Sequence, residues 1–181
     1  MAIYNTLKIY APDRKFYLEF DRNEYLQQNI KGKTVLHVGC SDFPITKQRI
    51  RENNLLHKKL QESAKEIVGI DLSEEGISIL KEHGFDNVLT MDAENMKLST
   101  KFDVILAGDV SEHLNNPGLF LNKVRSLLNH GGKIIIGVPS ALTFNNLKAW
   151  FLGWSKSMPI ILSIFHQKRF QRFVQGLTFY R

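Results

Sequence analysis

Apolar residues along this 181-residue chain follow two rhythms, short unbroken runs and stretches with one apolar position every three or four residues. The runs Thr34–Val38, Ile67–Ile70, Asn87–Met91, Phe102–Ala107 and Lys133–Val138 read as strands. Phe102–Ala107 is continuous except for Asp103, as expected of a strand covered on both faces. Between the strands the helical rhythm returns. From about Ile45 to Ala64, the positions Ile50, Leu55, Leu56, Leu60 and Ala64 form one stripe and predict a single long helix. Ser73 opens a second helix, with Glu74 and Glu75 at the positive end of its dipole and Ile77, Ile79 and Leu80 facing inward. His83-Gly84 ends it. Asn116-Pro117 opens a third, with Leu119, Phe120, Val124, Leu127 and Leu128 inward and Gly131-Gly132 as its stop. Upstream, Tyr17, Phe20, Tyr25 and Leu26 suggest a short lead-in helix. Strands alternating with helices predict an α/β fold, a mostly parallel sheet with right-handed crossovers and helices on both faces. The expected organisation is a lead-in at 1–31, an α/β core at 32–140 and a C-terminal segment at 141–181.

Composition alters this picture only at the C-terminus. Hydrophobic residues at 43% and charged residues at 23% are ordinary for a globular domain. One cysteine, Cys40, excludes an internal disulfide framework, and no Cys/His spacing suggests zinc or another metal. No basic start leads into an apolar run, so a reducing, cytoplasmic setting is the expectation. Residues 1–140 balance 18 basic against 18 acidic groups, whereas 141–181 hold six basic residues and no acidic one. That segment also carries Trp150, Trp154 and six of the twelve phenylalanines. A basic aromatic tail suits an anionic membrane surface or nucleic acid, or else a core-covering element with solvated Lys and Arg.

The chemistry gathers at the strand ends. KTVLHVGCS (Lys33–Ser41) is a strand closed by a glycine turn, and IVGIDLS (Ile67–Ser73) a second strand tipped by Asp71. A glycine turn admits backbone close to a ligand, and one carboxylate suits the two hydroxyls of a ribose. The other tips carry Asp92-Ala93-Glu94, then Gly108-Asp109 with Glu112 and His113 beyond. In open α/β sheets these ends are where ligands bind. A single acidic tip is readily explained as a helix cap; a set of four points to a site.

These strings resemble the class I S-adenosylmethionine-dependent methyltransferases of the type 11 group. VLHVGC, VGIDLS, MDAENM, FDVILAGDVSEHLNNPGLFL and LLNHGGKIIIGVPS carry the likeness, over roughly residues 30–140. The resemblance implies a Rossmann-like methyltransferase fold, with the five strands in the order 3-2-1-4-5 and a closing antiparallel hairpin. It also implies S-adenosylmethionine as cofactor. Gly39 and Cys40 would lie against its methionine part, Asp71 would hold the ribose and Leu72 would pack on the adenine. Asp92 and the Ala93 backbone would meet the adenine edge, and Asp109 and Val110 would line the methyl side. Two departures stand out. His37 occupies a position where the family has an acid that holds the cofactor's amino group. The glycine-rich loop is replaced by Cys40-Ser41-Asp42-Phe43, where Asp42 can take over that contact.

A dinucleotide-dependent dehydrogenase would need further loop glycines to admit a pyrophosphate, and Asp42 would repel it. A phosphate-free sulfonium cofactor tolerates that loop. His113 is the one candidate base for a hydroxyl nucleophile, with a loop-fixing hydrogen bond as the competing role. His37, His57, His83, His130 and His166 have no comparable case, and Cys40 has no base nearby in sequence. Asp109-Val110-Ser111-Glu112 lacks the tetrapeptide of amino-directed DNA methyltransferases, and no Pro-Cys pair stands there for cytosine chemistry. A small molecule, lipid or sugar is the expected acceptor. In the tail, Lys156 and Pro159 interrupt Ala149–Phe165, a poor transmembrane span, and Gly176–Tyr180 reads as one short strand. No convincing hairpin is legible, so the expectation is a shortened or remodelled closure, used at a homodimer or peripheral membrane surface. The alternative function is a non-catalytic methyltransferase-like domain that binds a partner through this tail.

Overall fold

The computed structural model describes residues 6–8, 19–139 and 160–166. In chain order it contains β1 (Thr6–Lys8), β2 (Glu19–Asp21), α1 (Arg22–Ile30), β3 (Thr34–Val38), α2 (Thr46–Arg51), α3 (Leu56–Gln61) and β4 (Glu66–Asp71). There follow α4 (Glu74–Glu82), β5 (Val88–Thr90), β6 (Phe102–Gly108), α5 (Pro117–Leu127), β7 (Leu128–Pro139) and β8 (Ile160–His166). β1 and β2 form a separate antiparallel ribbon. The main sheet runs β5-β4-β3-β6-β7-β8, its first five strands parallel and β8 antiparallel to β7. The order of the five parallel strands is the expected one, and its switch point lies between β3 and β6.

Strand residues point alternately to the two faces, and here both faces are buried. Val35, Val104, Leu106 and Ile135 pack with Leu26 and Ile30 of α1 and Leu60 of α3. Leu36, Val38, Ile105, Ala107 and Ile134 pack with Phe120, Leu121, Val124 and Leu127 of α5. Asp103, the polar exception in β6, is paired. Its Oδ2 accepts from the Thr34 N–H at 3.0 Å and the Thr34 hydroxyl at 2.9 Å, and its Oδ1 from Asn129 Nδ2 at 2.9 Å. It fastens the entrances of β3, β6 and β7, and these hydrogen bonds hold its carboxyl below the ordinary value.

Three elements differ from expectation. The long helix is two short ones, α2 and α3, because Asn53 adopts φ 51° and Leu55 is extended before α3. Asn tolerates the left-handed region and ends the helix as a glycine would. The last helix stops at Leu127, where Leu128 is already extended and pairs with Phe102, so Gly131-Gly132 lie within β7. Finally, β8 closes the sheet edge with a seven-residue antiparallel register, Lys133↔His166 through Pro139↔Ile160. The expected strand at Gly176–Tyr180 and most of the 141–181 segment lie outside the described residues.

Candidate functional site

The carboxyl ends of β3, β4, β5 and β6 open into a cavity of about 930 Å³, the size of a small-molecule or cofactor site. Two glycines let backbone line it. Gly39 has φ 77°, and a Cβ there would meet Val110 Cγ2 at 2.6 Å. A Cβ on Gly108 would meet Arg22 Nη2 at 2.7 Å.

Asp71, at the tip of β4, borders the cavity and also fixes its walls. Its Oδ2 accepts from the Ser41 N–H at 2.9 Å and the Ser41 hydroxyl at 2.7 Å, and its Oδ1 from the Ser73 N–H at 3.0 Å. A carboxylate offers about four lone-pair directions, so capacity remains on the cavity side. Ser73 in turn caps α4 by accepting from the Gly76 N–H at 2.9 Å. Asp92 accepts from the Glu94 N–H at 2.8 Å and Asn95 Nδ2 at 2.7 Å. Buried Glu94 accepts from the N–H groups of Asn115 and Asn116 at 2.6 and 3.1 Å, strapping the end of β5 to the start of α5. Leu72, 74% exposed, stands at the rim, with Phe43 and Ile45 also exposed there.

Beyond the tips of β3 and β6, four charges gather. Arg22 Nη2 lies 3.8 Å from Asp109 Oδ2, and Arg49 Nε lies 3.8 Å from Asp42 Oδ2. Both pairs are loose, and neither arginine Nε has a hydrogen-bond partner among the described residues. Burial lowers the Arg22 guanidinium from its ordinary value against the pull of Asp109 and Asp42, and burial raises both Asp42 and Asp109. Asp42 and Asp109 are themselves in the left-handed region, at φ 52° and 54°. Non-glycine residues held there concentrate at functional sites.

Nine of the ten expected cofactor residues line the cavity: His37, Gly39, Asp42, Asp71, Leu72, Asp92, Ala93, Asp109 and Val110. Cys40 does not. Its thiol turns away to pack over Gly69, with Leu55, Ile77, Leu80 and Val88 around it. Burial, reinforced by Asp71, pushes that thiol up, so it is an inert filler. His113, exposed on a single 3-10 turn (Ser111–His113), borders the cavity. Sequence reasoning missed Arg22, Arg49 and His57. Arg22 lies in a segment without a clean apolar period, and Arg49 stands within a long polar stretch, Thr46–Asn54, where no local motif singles it out. His57 was set aside, yet its Nδ1 lies 3.1 Å from Nδ1 of His37, both rings buried.

A family model described as a methyltransferase domain, of type 11, matches residues 53–136. Residues 53–136 carry a methyltransferase domain of type 11. The chain is 30% identical over 141 residues to the ubiquinone biosynthesis O-methyltransferase of Nitrobacter winogradskyi, covering 75% of this chain and 48% of that protein. The chain thus spans about half the length of the curated relatives it matches. Among solved structures, N-methyltransferase NodS from Bradyrhizobium japonicum superposes with a TM-score of 0.58 at 14% identity, over 80% of this chain and 92% of that one. A second NodS structure, in complex with S-adenosyl-L-homocysteine, gives 0.53 at 15% identity, over 72% and 63%. At such identities the likeness is one of fold. The family match starts at residue 53, beyond β3 and its loop, so both departures of this methyltransferase domain, His37 and the Cys40–Phe43 loop, fall outside it.

The domain's residues fit S-adenosylmethionine. Asp71 and Asp92 offer acceptors for ribose hydroxyls and an adenine amino group, and Leu72 an apolar face. The Arg22, Arg49, Asp42 and Asp109 cluster offers both donors and acceptors, as a zwitterionic amino-acid end requires. The acidic tips around Gly39 suit a ligand without phosphate.

Proposed function

We propose that this domain is an S-adenosylmethionine-dependent methyltransferase acting on a hydroxyl of a small molecule. One observation carries the reading: one cavity at the switch point of the parallel sheet is lined both by the acceptors Asp71 and Asp92 at the tips of β4 and β5 and by a balanced charge cluster beyond β3 and β6. Asp71 holds the ribose, Asp92 and the Ala93 N–H the adenine edge, and Leu72 the adenine face. Arg22 takes the carboxylate of the methionine end, while Asp42, Asp109 and His37 surround its ammonium.

Bound there, the cofactor supplies a methyl group on a cationic sulfur, open to in-line attack. The chain's contribution is placement and proton control. Gly39, Gly108 and Val110 keep that end of the cavity narrow. His113, at the cavity edge, takes the proton that the acceptor hydroxyl must lose. Exposed Phe43 and Ile45 favour an acceptor with an apolar body, a lipid-like or ring compound ahead of a sugar. The names of the curated relatives, O-methyltransferases of ubiquinone biosynthesis, support oxygen as the methylated atom. Among the described residues no helix is long and apolar enough to cross a membrane, and no group of acidic, His or Cys side chains gathers as a metal site.

The test is methyl transfer from methyl-labelled cofactor to a panel of phenols, catechols, sugars and amines. Label should pass to an aromatic hydroxyl, and His113→Gln should lower turnover by about 100-fold or more while leaving S-adenosylhomocysteine affinity nearly unchanged. Transfer to nitrogen acceptors alone, or full activity in His113→Gln, would overturn the corresponding assignment.

A further inference from the structure

The His37–His57 contact has a direction, and the surrounding atoms set it. The two Nδ1 atoms are 3.1 Å apart and the rings are inclined by 11°. Two lone pairs or two N–H groups facing each other at that distance would repel. Burial opposes charging either ring, and drives His57 down to about 4, so both are neutral near pH 7 and share one N–H between them.

The far side of His57 decides which ring supplies it. The Asn87 side-chain amide stands at His57. Asn87 Nδ2 is committed to the Ile67 carbonyl at 2.5 Å, which leaves Oδ1, an acceptor, for the histidine. His57 Nε2 and Asn87 Oδ1 are both buried and neither makes a hydrogen bond among the described residues, which leaves an acceptor-only oxygen as the unmet polar neighbour of the histidine. An acceptor there requires the proton of His57 on Nε2, which leaves a lone pair on His57 Nδ1. His37 must then donate from Nδ1 and carry its own lone pair on Nε2. Since Nδ1 is engaged, Nε2 is the nitrogen available where the His37 ring borders the cavity. Gly69 makes room for the arrangement, because a Cβ there would come within 2.8 Å of His57 Cε1.

We propose that Asn87 and His57 are positioning residues that fix His37 as a hydrogen-bond acceptor at Nε2, aimed at the ammonium group of the cofactor's methionine end. A neutral ring held in one tautomer thereby replaces a carboxylate. This rests on the cofactor site proposed above, with S-adenosylmethionine as the occupant.

Two measurements test it on the full chain. Long-range 15N–1H NMR of the ligand-free protein reads each tautomer: His37 should be protonated on Nδ1 and His57 on Nε2. Finding His37 protonated on Nε2 overturns the proposal, whether or not the cofactor reading stands. The second is a pair of titrations of His57→Phe, with S-adenosylhomocysteine and with 5′-methylthioadenosine, which lacks the amino-acid end. Affinity for the first should fall about tenfold or more, and for the second stay within about twofold. Equal loss for both ligands would mark His57 as a structural filler and reject the relay. Should that variant fail to fold, Asn87→Leu removes the acceptor instead and should shift His57 away from the Nε2-protonated form; an unshifted His57 rejects the relay.

Discussion

Gly39 and Val110 stand so close that a single methyl group on Gly39 would lie 2.6 Å from Val110 Cγ2. One residue ends β3 and the other follows β6, the two strands that flank the sheet's switch point. Their approach sets the width of the cavity at the proposed methionine end. Gly39 must also hold φ 77°, which an L side chain resists. Gly39→Ala therefore combines left-handed strain with overpacking and should cost about 2–4 kcal/mol, read as a lowered urea midpoint. Adding Val110→Ala should restore the overpacking part and leave the strain. A double variant no more stable than Gly39→Ala would mean that Val110 does not set the width.

The buried histidine pair predicts a pH dependence of stability. His57 has a folded value of about 4 against an ordinary 6.5, with burial as the cause, and His37 is lowered well below 6.5 for the same reason. A base depressed by folding binds protons more readily when unfolded. Its stabilisation is complete above about pH 6.5 and is lost as pH falls toward 4. For His57 alone the loss is on the order of 3 kcal/mol across that window. Urea midpoints at pH 7, 6, 5 and 4 should fall accordingly, and His57→Phe should flatten the profile. An unchanged slope in that variant would contradict the assignment.

Cys40 lies beside the site and takes no part in its chemistry. It is 1% exposed and its thiol is pushed up by burial and by Asp71. Iodoacetamide should leave the native chain unmodified at pH 8 and alkylate it readily in denaturant. Fast labelling of the folded protein would place the thiol in the cavity after all.

The strand runs and the acidic tips were legible because both report on local pattern. Ile105 and Leu106 alternate between two buried faces, and Asp71 and Asp92 stand where strands end. What escaped the sequence depends on conformation or on distant partners. The left-handed Asn53 divides a stripe that continues smoothly through Ile50, Leu55 and Leu60. Cys40 adjoins Gly39, yet its direction is set by the empty face of Gly69 on the neighbouring strand. Arg22 reaches Asp109 across 87 positions of chain, and His57 meets His37 only because α3 returns over β3. β8 follows Pro159 in a stretch whose apolar character reads equally as core cover or surface anchor.

The central claim is tested most directly by calorimetric titration of S-adenosylhomocysteine into the wild-type chain, with Asp71→Asn and Ser41→Ala alongside. Asp71 anchors Ser41, borders the cavity and is the proposed ribose acceptor, so the two variants separate these roles. Wild type should bind at one site per chain; Asp71→Asn should weaken binding about tenfold or more, and Ser41→Ala only a few-fold. No binding by the folded wild type up to about 1 mM, where even a −4 kcal/mol site would register, would contradict the account.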